Sequence, residues 1–430
     1  MTSSDRAVCA SFSRRLLPAL LAFAAIARAG TLAWPEQEAV AGDGTARSML
    51  GRAAVIVGDT AFVGAPGAAA GGAVYVYLRG TDGWTQTQEL HAAGSADGAD
   101  FGISIALSAD TAIIGADRTT LTQDSDRHQG AAYVFSRGDD GSWTETQQLV
   151  ASDYTSEALF GNAVALSGST VLIGSYNASV GDNPYQGAAY VFSRGSDGAF
   201  SETQKLVAED GAGGDDFGNA LALDGTRAII GAFYGSGVTG QSGAAYVFEN
   251  GGGTWTQTAK LAADDGAFFD TFGNAVALSG DLALIAAPSA QVGDSYGQGA
   301  IYAFRLADGD WTQTQKIVAA DGAEGDGLGG SIALSGTRVL AGASSAMDYA
   351  GAAFAFERDD TGTWNELGRL LASDGLSGDG YGSAVALSAD AALVGAPLRT
   401  VGANAAQGAA YFYAPPTDDR IFADGFEAAP

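Results

Sequence analysis

The sequence contains few residues of the types that usually carry catalysis or metal binding. It has one cysteine, Cys9, and two histidines, His91 and His128, which lie at different positions of the repeat described below. A thiol nucleophile, a histidine metal centre and a Ser-His-Asp triad are therefore not expected. Prolines number only 9 against 63 glycines, and no stretch has helical periodicity. These absences favour a folded β protein with many tight turns.

Basic residues are also scarce. The chain has three lysines, Lys205, Lys260 and Lys316, and a formal charge of −28 at pH 7. A surface of this charge repels polyanions and attracts cations. Nucleic acid and anionic membranes are therefore excluded as partners.

Residues 1–29 are predicted to be a signal peptide. Arg14 and Arg15 precede an apolar run from Leu16 to Ala27 that is too short to cross a bilayer comfortably. Ala27-Arg28-Ala29 then matches a signal-peptidase site, so we expect cleavage after Ala29. We therefore expect a secreted, extracellular or cell-surface protein without a membrane span after cleavage. The periplasm is the alternative compartment, and a retained anchor is the competing interpretation of the apolar run.

A pattern of about 50 residues recurs along the chain, as expected of repeat architectures. Each repeat starts with an aromatic residue or leucine followed by glycine: Leu50-Gly51, Phe101-Gly102, Phe160-Gly161, Phe217-Gly218, Phe272-Gly273, Leu328-Gly329 and Tyr381-Gly382. Four short segments follow in each repeat, such as GNALAL, RAIIGA, GAAYVF and WTQTAKL between Gly218 and Leu261. Turn sequences separate the first two and the last two segments, which predicts antiparallel strands. Seven four-stranded units specify an all-β, seven-bladed β-propeller over residues 30–414.

The ends of the repeat region predict a closed ring. The last unit stops after its third strand, Gly408 to Tyr413, whereas Trp34 to Gly44 matches the fourth segment that starts at Trp311. The N-terminal strand is therefore expected to complete the last blade, a closure that a solenoid would not need. The seven fourth-segment slots all carry aromatic residues, expected to pack between blades: Trp34, Trp84, Trp143, Phe200, Trp255, Trp311 and Trp364. Residues 415–430 are predicted to be a separate C-terminal tail.

The FG step, the following GA or GAP (Gly64 to Pro66, Gly395 to Pro397) and GAAYVF together resemble the FG-GAP repeat. This repeat is the propeller unit of integrin α-subunits and of many exported bacterial proteins. The resemblance covers residues 49–413 and implies a role in extracellular recognition or adhesion. FG-GAP propellers often bind Ca²⁺ through a DxDxDG-type loop inside a blade hairpin. The matching hairpins of this chain are too short to contain that loop.

Acidic residues instead precede the FG steps. The candidates for a metal site there are Asp210, Asp215, Asp264, Asp265, Asp270, Asp321 and Asp326. Several carboxylates on one glycine-containing loop suit a hard cation such as Ca²⁺. The alternative is that Asp-Gly forms the turn and the other acids are solvated. The sequence therefore predicts no cofactor, with Ca²⁺ at these carboxylates as the alternative.

The loops between the second and third segments vary most in length and composition. In a propeller these loops leave the ring on one face, where a rigid scaffold commonly carries function. The predicted ligand-binding residues are Tyr176, Asn177, Asp182, Tyr185, Tyr234, Asp294, Tyr296, Asp348 and Tyr349. The sequence thus predicts a non-catalytic, monomeric binding or adhesion propeller that recognises an extracellular glycan or protein. The alternatives are a secreted carbohydrate-active hydrolase or lyase with carboxylates near the channel mouth, and a structural cell-surface component.

Overall fold

The computed structural model describes residues 30–121 and 128–415, and nearly all of its regular structure is β-strand. The chain starts with β1 (Glu36–Ala39), followed by the first blade, β2 (Ala53–Val57), β3 (Thr60–Ala65), β4 (Ala73–Gly80) and β5 (Gly83–Leu90). The second blade is β6 (Ser104–Leu107), β7 (Thr111–Ala116), β8 (Ala131–Arg137) and β9 (Trp143–Leu149). The third is β10 (Val164–Ser167), β11 (Thr170–Ser175), β12 (Ala188–Arg194) and β13 (Phe200–Leu206).

The remaining four blades follow the same order. The fourth is β14 (Phe217–Asp224), β15 (Arg227–Ala232), β16 (Ala244–Gly251) and β17 (Thr254–Leu261). The fifth is β18 (Ala275–Ser279), β19 (Leu282–Ala287), β20 (Ala300–Ala307) and β21 (Asp310–Ile317). The sixth is β22 (Ser331–Ser335), β23 (Arg338–Ala343), β24 (Ala352–Arg358) and β25 (Trp364–Leu370). The last contains β26 (Ala384–Leu387), β27 (Ala392–Ala396) and β28 (Ala409–Tyr413).

Each blade is an antiparallel meander whose four strands pair in sequence order, except the last, where the order is β1-β28-β27-β26. Two short helical turns, a 3₁₀ turn at Ala69–Gly71 and α1 (Ala346–Tyr349), lie in loops. The prediction of an all-β, seven-bladed propeller is confirmed. None of the helices in the described ranges is long and apolar enough to cross a membrane. The predicted signal peptide and the tail beyond Pro415 lie outside the described residues.

Turn glycines make the first hairpin of a blade short. Gly58 and Asp59 alone separate β2 from β3, and Gly58 has a φ of 57°, a conformation that glycine adopts without steric penalty. A hairpin of this length has no room for an acidic metal-binding loop. The sequence expectation that such a loop is missing here therefore agrees with the structure.

Glycine also allows neighbouring blades to approach each other near the channel. Gly231 lies in the second strand of blade four, and a Cβ atom there would collide with the carbonyl oxygen of Gly273 in blade five. Gly273 has a φ of 94° and belongs to the FG step. The GA and FG glycines therefore permit close backbone packing between blades, which explains why both recur, although Ala286 replaces the GA glycine in blade five.

The apolar core lies between blades rather than inside one blade. Phe217 of the FG step is fully buried, with ring centroids 5.5 Å from Tyr246 and 6.0 Å from Phe248. The same cluster contains Leu172 and Val191 from the preceding blade. Each blade thus stabilises its neighbour, and the ring behaves as one packed unit.

The aromatic residues of the fourth strands pack across blade boundaries as expected. Trp143 contacts Phe62 of the preceding blade edge-on at 5.0 Å, and Trp84 stacks on Phe412 of the last blade at 4.7 Å. Trp34 and Trp311 are only partly buried, so these two fill their slots less completely.

A glutamine in the fourth strand links each of several blades to the next. Nε2 of Gln88 donates to the backbone oxygen of Trp143 at 2.7 Å, and its Oε1 accepts the Trp143 N–H at 2.8 Å. The same pair of bonds joins Gln37 to Trp84, Gln147 to Phe200, Gln204 to Trp255 and Gln315 to Trp364. Ala259 and Gly368 occupy the two remaining positions. The sequence analysis missed this link, although the glutamine recurs visibly in WTQTQ.

The N-terminal strand completes the last blade. β1 pairs antiparallel with β28, with Glu36 opposite Tyr413 and Ala39 opposite Ala410. Side chains reinforce the pairing, since Oη of Tyr413 donates to Glu36 Oε2 at 2.7 Å. This geometry agrees with the predicted ring closure.

Candidate functional site

Two sets of loops leave the ring on the same side, which we call the loop face. One set joins the second strand of a blade to the third, and the other joins each blade to the next. The two sets are linked by backbone hydrogen bonds, such as Gly325 N to Tyr296 O and Gly380 N to Tyr349 O, both at 2.9 Å. The strand hairpins leave on the opposite side, the hairpin face. The predicted ligand-binding and metal-binding residues therefore share one face.

Lysine, tyrosine and aspartate link the blade-to-blade loops to the blades. Asp210 precedes blade four, and its two carboxylate oxygens accept bonds from Lys260 Nζ at 2.6 Å and Tyr246 Oη at 3.0 Å. The arrangement recurs as Asp265–Lys316–Tyr302 and Asp153–Lys205–Tyr190. All three lysines of the chain thus occupy one repeated position.

These hydrogen bonds keep Asp210 ionised. Burial opposes its charge, but the bonds from Lys260 and Tyr246 outweigh burial and lower the pKa of the Asp210 carboxyl. Burial, followed by the charge of Asp210, raises the pKa of Tyr246, so the phenol stays protonated and donates its hydrogen bond. Asp210 and Asp265 therefore act as links between a loop and its blade.

The other predicted metal ligands lie in the same loops with partners of their own. Asp215 accepts the N–H of Ala212 at 2.8 Å, and Asp321 accepts a bond from Arg369 at 2.8 Å. Asp270 and Asp326 accept the N–H groups of Ala267 and Ala323. Asp264 is exposed. Throughout residues 30–121 and 128–415, no three His, Cys, Asp or Glu side chains gather to hold a metal ion, and calcium binding stays a prediction.

The nine predicted ligand-binding residues all lie on the loop face but differ in exposure. Tyr176, Asn177 and Tyr234 are half-buried, whereas the other six are exposed, namely Asp182, Tyr185, Asp294, Tyr296, Asp348 and Tyr349. Tyr185, Tyr296 and Tyr349 have exposed fractions of 52%, 66% and 62%. A molecule that approaches this face meets these three rings first, and their role in binding stays a prediction.

Exposed apolar side chains are concentrated on the loop face. Of the twelve large hydrophobic residues exposed in the described part of the chain, eleven lie in its loops, and Val57 at a hairpin is the exception. Eight of the eleven lie between blade four and blade seven. We call this set the apolar arc: Val238, Phe268, Phe269, Tyr296, Met347, Tyr349, Leu376 and Leu398. Exposed apolar side chains that gather on one face often mark a contact site.

The apolar arc is densest between blades four and five. The ring centroids of Phe268 and Phe269 are 4.1 Å apart, and Phe269 lies 6.0 Å from Tyr234. Phe269 has a φ of 67°, which is unfavourable for phenylalanine, and its N–H donates to Gln241 O at 2.9 Å. The loop contacts therefore hold these rings at the surface in a strained backbone conformation.

The sequence analysis missed Phe268, Phe269, Leu376 and Leu398. In the blade-to-blade loops the recognisable signals are turns and acidic residues, and the apolar residues there match no motif. A comparison of equivalent repeat positions would have found Phe268, because Gly213 and Glu324 stand there in the neighbouring loops. A large apolar residue at a repeat position that is small or polar in the neighbouring loops indicates a candidate contact residue.

A second group of titratable side chains lies at the loop-face end of the inner strands, the mouth of the channel. Arg118 Nε lies 3.3 Å from Asp100 Oδ2. Asp117 is only 8% exposed, and its Oδ1 has no hydrogen-bond partner. Burial and then the charge of Asp100 raise the pKa of Asp117 to about 6. Burial and then the charge of Asp215 raise the pKa of Asp216 to about 7. Carboxyls that hold a proton near neutral pH are chemically suited to proton transfer.

Replacing Asp117 with asparagine is expected to stabilise the protein at about pH 8 and to change little at about pH 4. The ordinary pKa is 3.8 and the folded value is about 6, so the folded state binds more protons than the unfolded chain between these values. Stability therefore falls as the pH rises through this window and stays lower above it. Asparagine cannot ionise, so it removes this loss and raises the free energy of unfolding by up to about 3 kcal/mol at high pH. Urea midpoints measured across the pH range test this.

The exposed Asp281 on the hairpin face provides the matched control. Asp281→Asn is expected to follow the wild-type pH profile. Superimposable profiles for Asp117→Asn and wild type would show that Asp117 does not carry this pH dependence.

Solved structures that match this chain include the following two. A protein from Lactobacillus plantarum is 15% identical, with a TM-score of 0.49 over 75% of this chain and 85% of that one. A proposed 6-phosphogluconolactonase from Bacteroides fragilis is 15% identical, with a TM-score of 0.50 over 81% of this chain and 89% of that one. At this identity the likeness concerns the fold alone. No curated protein matches the chain in sequence.

Six segments of the chain match the FG-GAP repeat: residues 84–135, 143–192, 200–248, 255–304, 311–356 and 364–413. Each segment begins at the aromatic residue that opens a fourth strand and runs through the third strand of the following blade. The segments that match the family are therefore offset by one strand from the structural blades. Because the matches span more than half of its length, the chain belongs to the FG-GAP repeat family.

Proposed function

We propose that the protein is an extracellular binding propeller that recognises a glycan or a protein through its loop face. The observation that carries the proposal is the location of eleven of the twelve exposed large hydrophobic residues, within the described ranges, on this one face. Tyrosine, phenylalanine and methionine are enriched at the centres of interfaces and often dominate their binding energy. The predicted signal peptide supports an extracellular site of action.

The ring below the loop face suits this role because it holds the loops in fixed positions. Buried FG residues and glutamine links join neighbouring blades, and the Asp–Lys–Tyr groups join three blade-to-blade loops to the blades that follow them. Preorganised loops lose less conformational entropy when they bind, which raises affinity.

Screening against glycan arrays and purified extracellular proteins tests the proposal. The loop-face variant combines Tyr185→Asn, Tyr296→Ser and Tyr349→Asn, with asparagine at the two positive-φ positions because it tolerates that backbone. The control variant combines Val57→Ser, Asp82→Ser and Asp139→Ser on the hairpin face. A ligand of the wild type should bind the loop-face variant roughly ten-fold more weakly or worse and the control unchanged. Loss of binding in the control alone, or no ligand in either class, would contradict the proposal.

The carboxyls at the channel mouth favour one second candidate, a secreted carbohydrate-active hydrolase or lyase. Asp117 and Asp216 have the raised pKa values that a general acid requires. A turnover screen on polysaccharides distinguishes the two functions. If the wild type turns over a polysaccharide and Asp117→Asn or Asp216→Asn does not, the protein is an enzyme and the binding proposal is wrong.

A further inference from the structure

We propose that the apolar arc docks a protein whose contact surface combines apolar side chains with lysines or arginines. This inference rests on the proposed function and narrows its ligand from a glycan or protein to one chemical class. Three observations carry it: the composition of the arc, the hydrogen bonds between its loops and the charges beside it.

The composition of the arc favours protein over sugar. Aromatic rings can stack on sugar rings, but half of the arc is aliphatic. Leu376 and Leu398 have exposed fractions of 65% and 50%, and Val238 and Met347 are exposed as well. Aliphatic side chains gain little from a hydroxylated sugar surface, whereas they bury favourably against apolar side chains of another protein.

Hydrogen bonds join the loops that carry the arc in blades six and seven. Ser377 Oγ donates to Asp348 O at 2.8 Å, which joins the Tyr349 loop to the Leu376 loop. The N–H of Leu398 donates to Asp379 O at 3.2 Å, which joins the Leu376 loop to the last blade. Because the loops are held together in this way, one partner surface can contact several of them at once.

The charges beside the arc favour a basic partner. In the described part of blades four to seven, the four cations on the loop face are all ion-paired within the protein, namely Lys260, Lys316, Arg369 and Arg399. Four exposed carboxylates beside the apolar residues have no basic partner within the described ranges, namely Asp264, Asp294, Glu324 and Asp348. Lysines or arginines of a partner would form ion pairs with these carboxylates.

The same charges argue against other occupants. A second copy of this chain would place like carboxylates against each other, and the whole chain carries a formal charge of −28. Acidic glycans and other polyanions are repelled for the same reason. A protein surface with basic and apolar side chains can bury the apolar arc and form ion pairs with the carboxylates beside it.

Two synthetic peptides of equal length test the inference by calorimetric titration, one built from leucine and lysine and the other from leucine and glutamate. Neutral cello- and chito-oligosaccharides form a third arm. The arc variant combines Phe268→Ser, Tyr296→Ser and Tyr349→Asn, which leaves every charge in place. The leucine–lysine peptide should bind the wild type, bind the arc variant roughly ten-fold more weakly, and weaken between about 50 mM and about 300 mM salt. The leucine–glutamate peptide should not bind.

Each contrary result has a distinct meaning. Equal binding of the leucine–lysine peptide to wild type and arc variant would show charge attraction alone and overturn the inference. No binding of that peptide to the wild type would overturn it as well. An oligosaccharide that binds the wild type but not the arc variant would also overturn it, yet would leave the proposed loop-face binding function standing. Tyr296→Ser alone, with an effect of roughly three-fold, covers the case in which the triple variant does not fold.

Discussion

Deletion of residues 30–44 is expected to lower the apparent Tm by at least about 5 °C. The deletion removes β1, and with it the ladder between Glu36–Ala39 and β28. It also removes the bonds of Gln37 to the Trp84 backbone at 2.6 and 2.8 Å, and the bond from Gln407 to Ala41 O at 3.0 Å. At about 1 kcal/mol for each hydrogen bond, the loss exceeds about 5 kcal/mol, and β28 becomes an open edge.

A peptide that spans residues 30–44 provides the control for this deletion. Added in trans, it should restore part of the lost Tm, whereas a scrambled peptide of the same composition should not. Scanning calorimetry at one fixed scan rate measures both effects. A truncated protein that melts within a degree or two of the wild type would show that the N-terminal strand does not hold the ring closed.

Truncation of Trp143 to alanine is expected to destabilise the protein by about 3–5 kcal/mol. Trp143 is 2% exposed and lies between blades one and two, edge-on to Phe62 at 5.0 Å. Alanine would leave a cavity between two blades that are both held by other contacts, so the gap cannot collapse fully. The urea midpoint of unfolding, followed by tryptophan fluorescence and circular dichroism, measures the loss.

Trp311 is the matched control because it occupies the same repeat position and is only partly buried. Trp311→Ala should lose less than half of the stability lost in Trp143→Ala, since less apolar surface returns to water. Equal losses at the two positions would show that burial between blades is not what makes Trp143 important.

The repeat made the fold predictable from sequence. A single copy of GAAYVF or WTQT does not establish a strand, but their return in the same order in successive repeats does. The displaced Trp34 segment indicates how the ring closes. Local pairing and turn chemistry are encoded within a few residues of each other. Strand pairing within a hairpin and its turn type can therefore be predicted without knowledge of the tertiary structure.

The candidate site was less predictable because its contacts join residues far apart in sequence. Asp210 and Lys260 are 50 positions apart, and nothing local to either residue indicates their ion pair. The exposure of Phe268 and Leu376 depends on how two loops from different connections pack together. Tyr296 and Tyr349 were found because variable loops of a propeller share a face, which is a consequence of topology alone.

The strict repetition of four strands has a consequence for how such rings can change in size. Each repeat supplies the outer strand of one blade and the three inner strands of the next. Insertion or removal of a whole repeat therefore leaves every blade with four strands and alters only the circumference. A tandem duplication of one repeat would enlarge the ring and would preserve the closing strand β1, because β1 pairs only with the last blade.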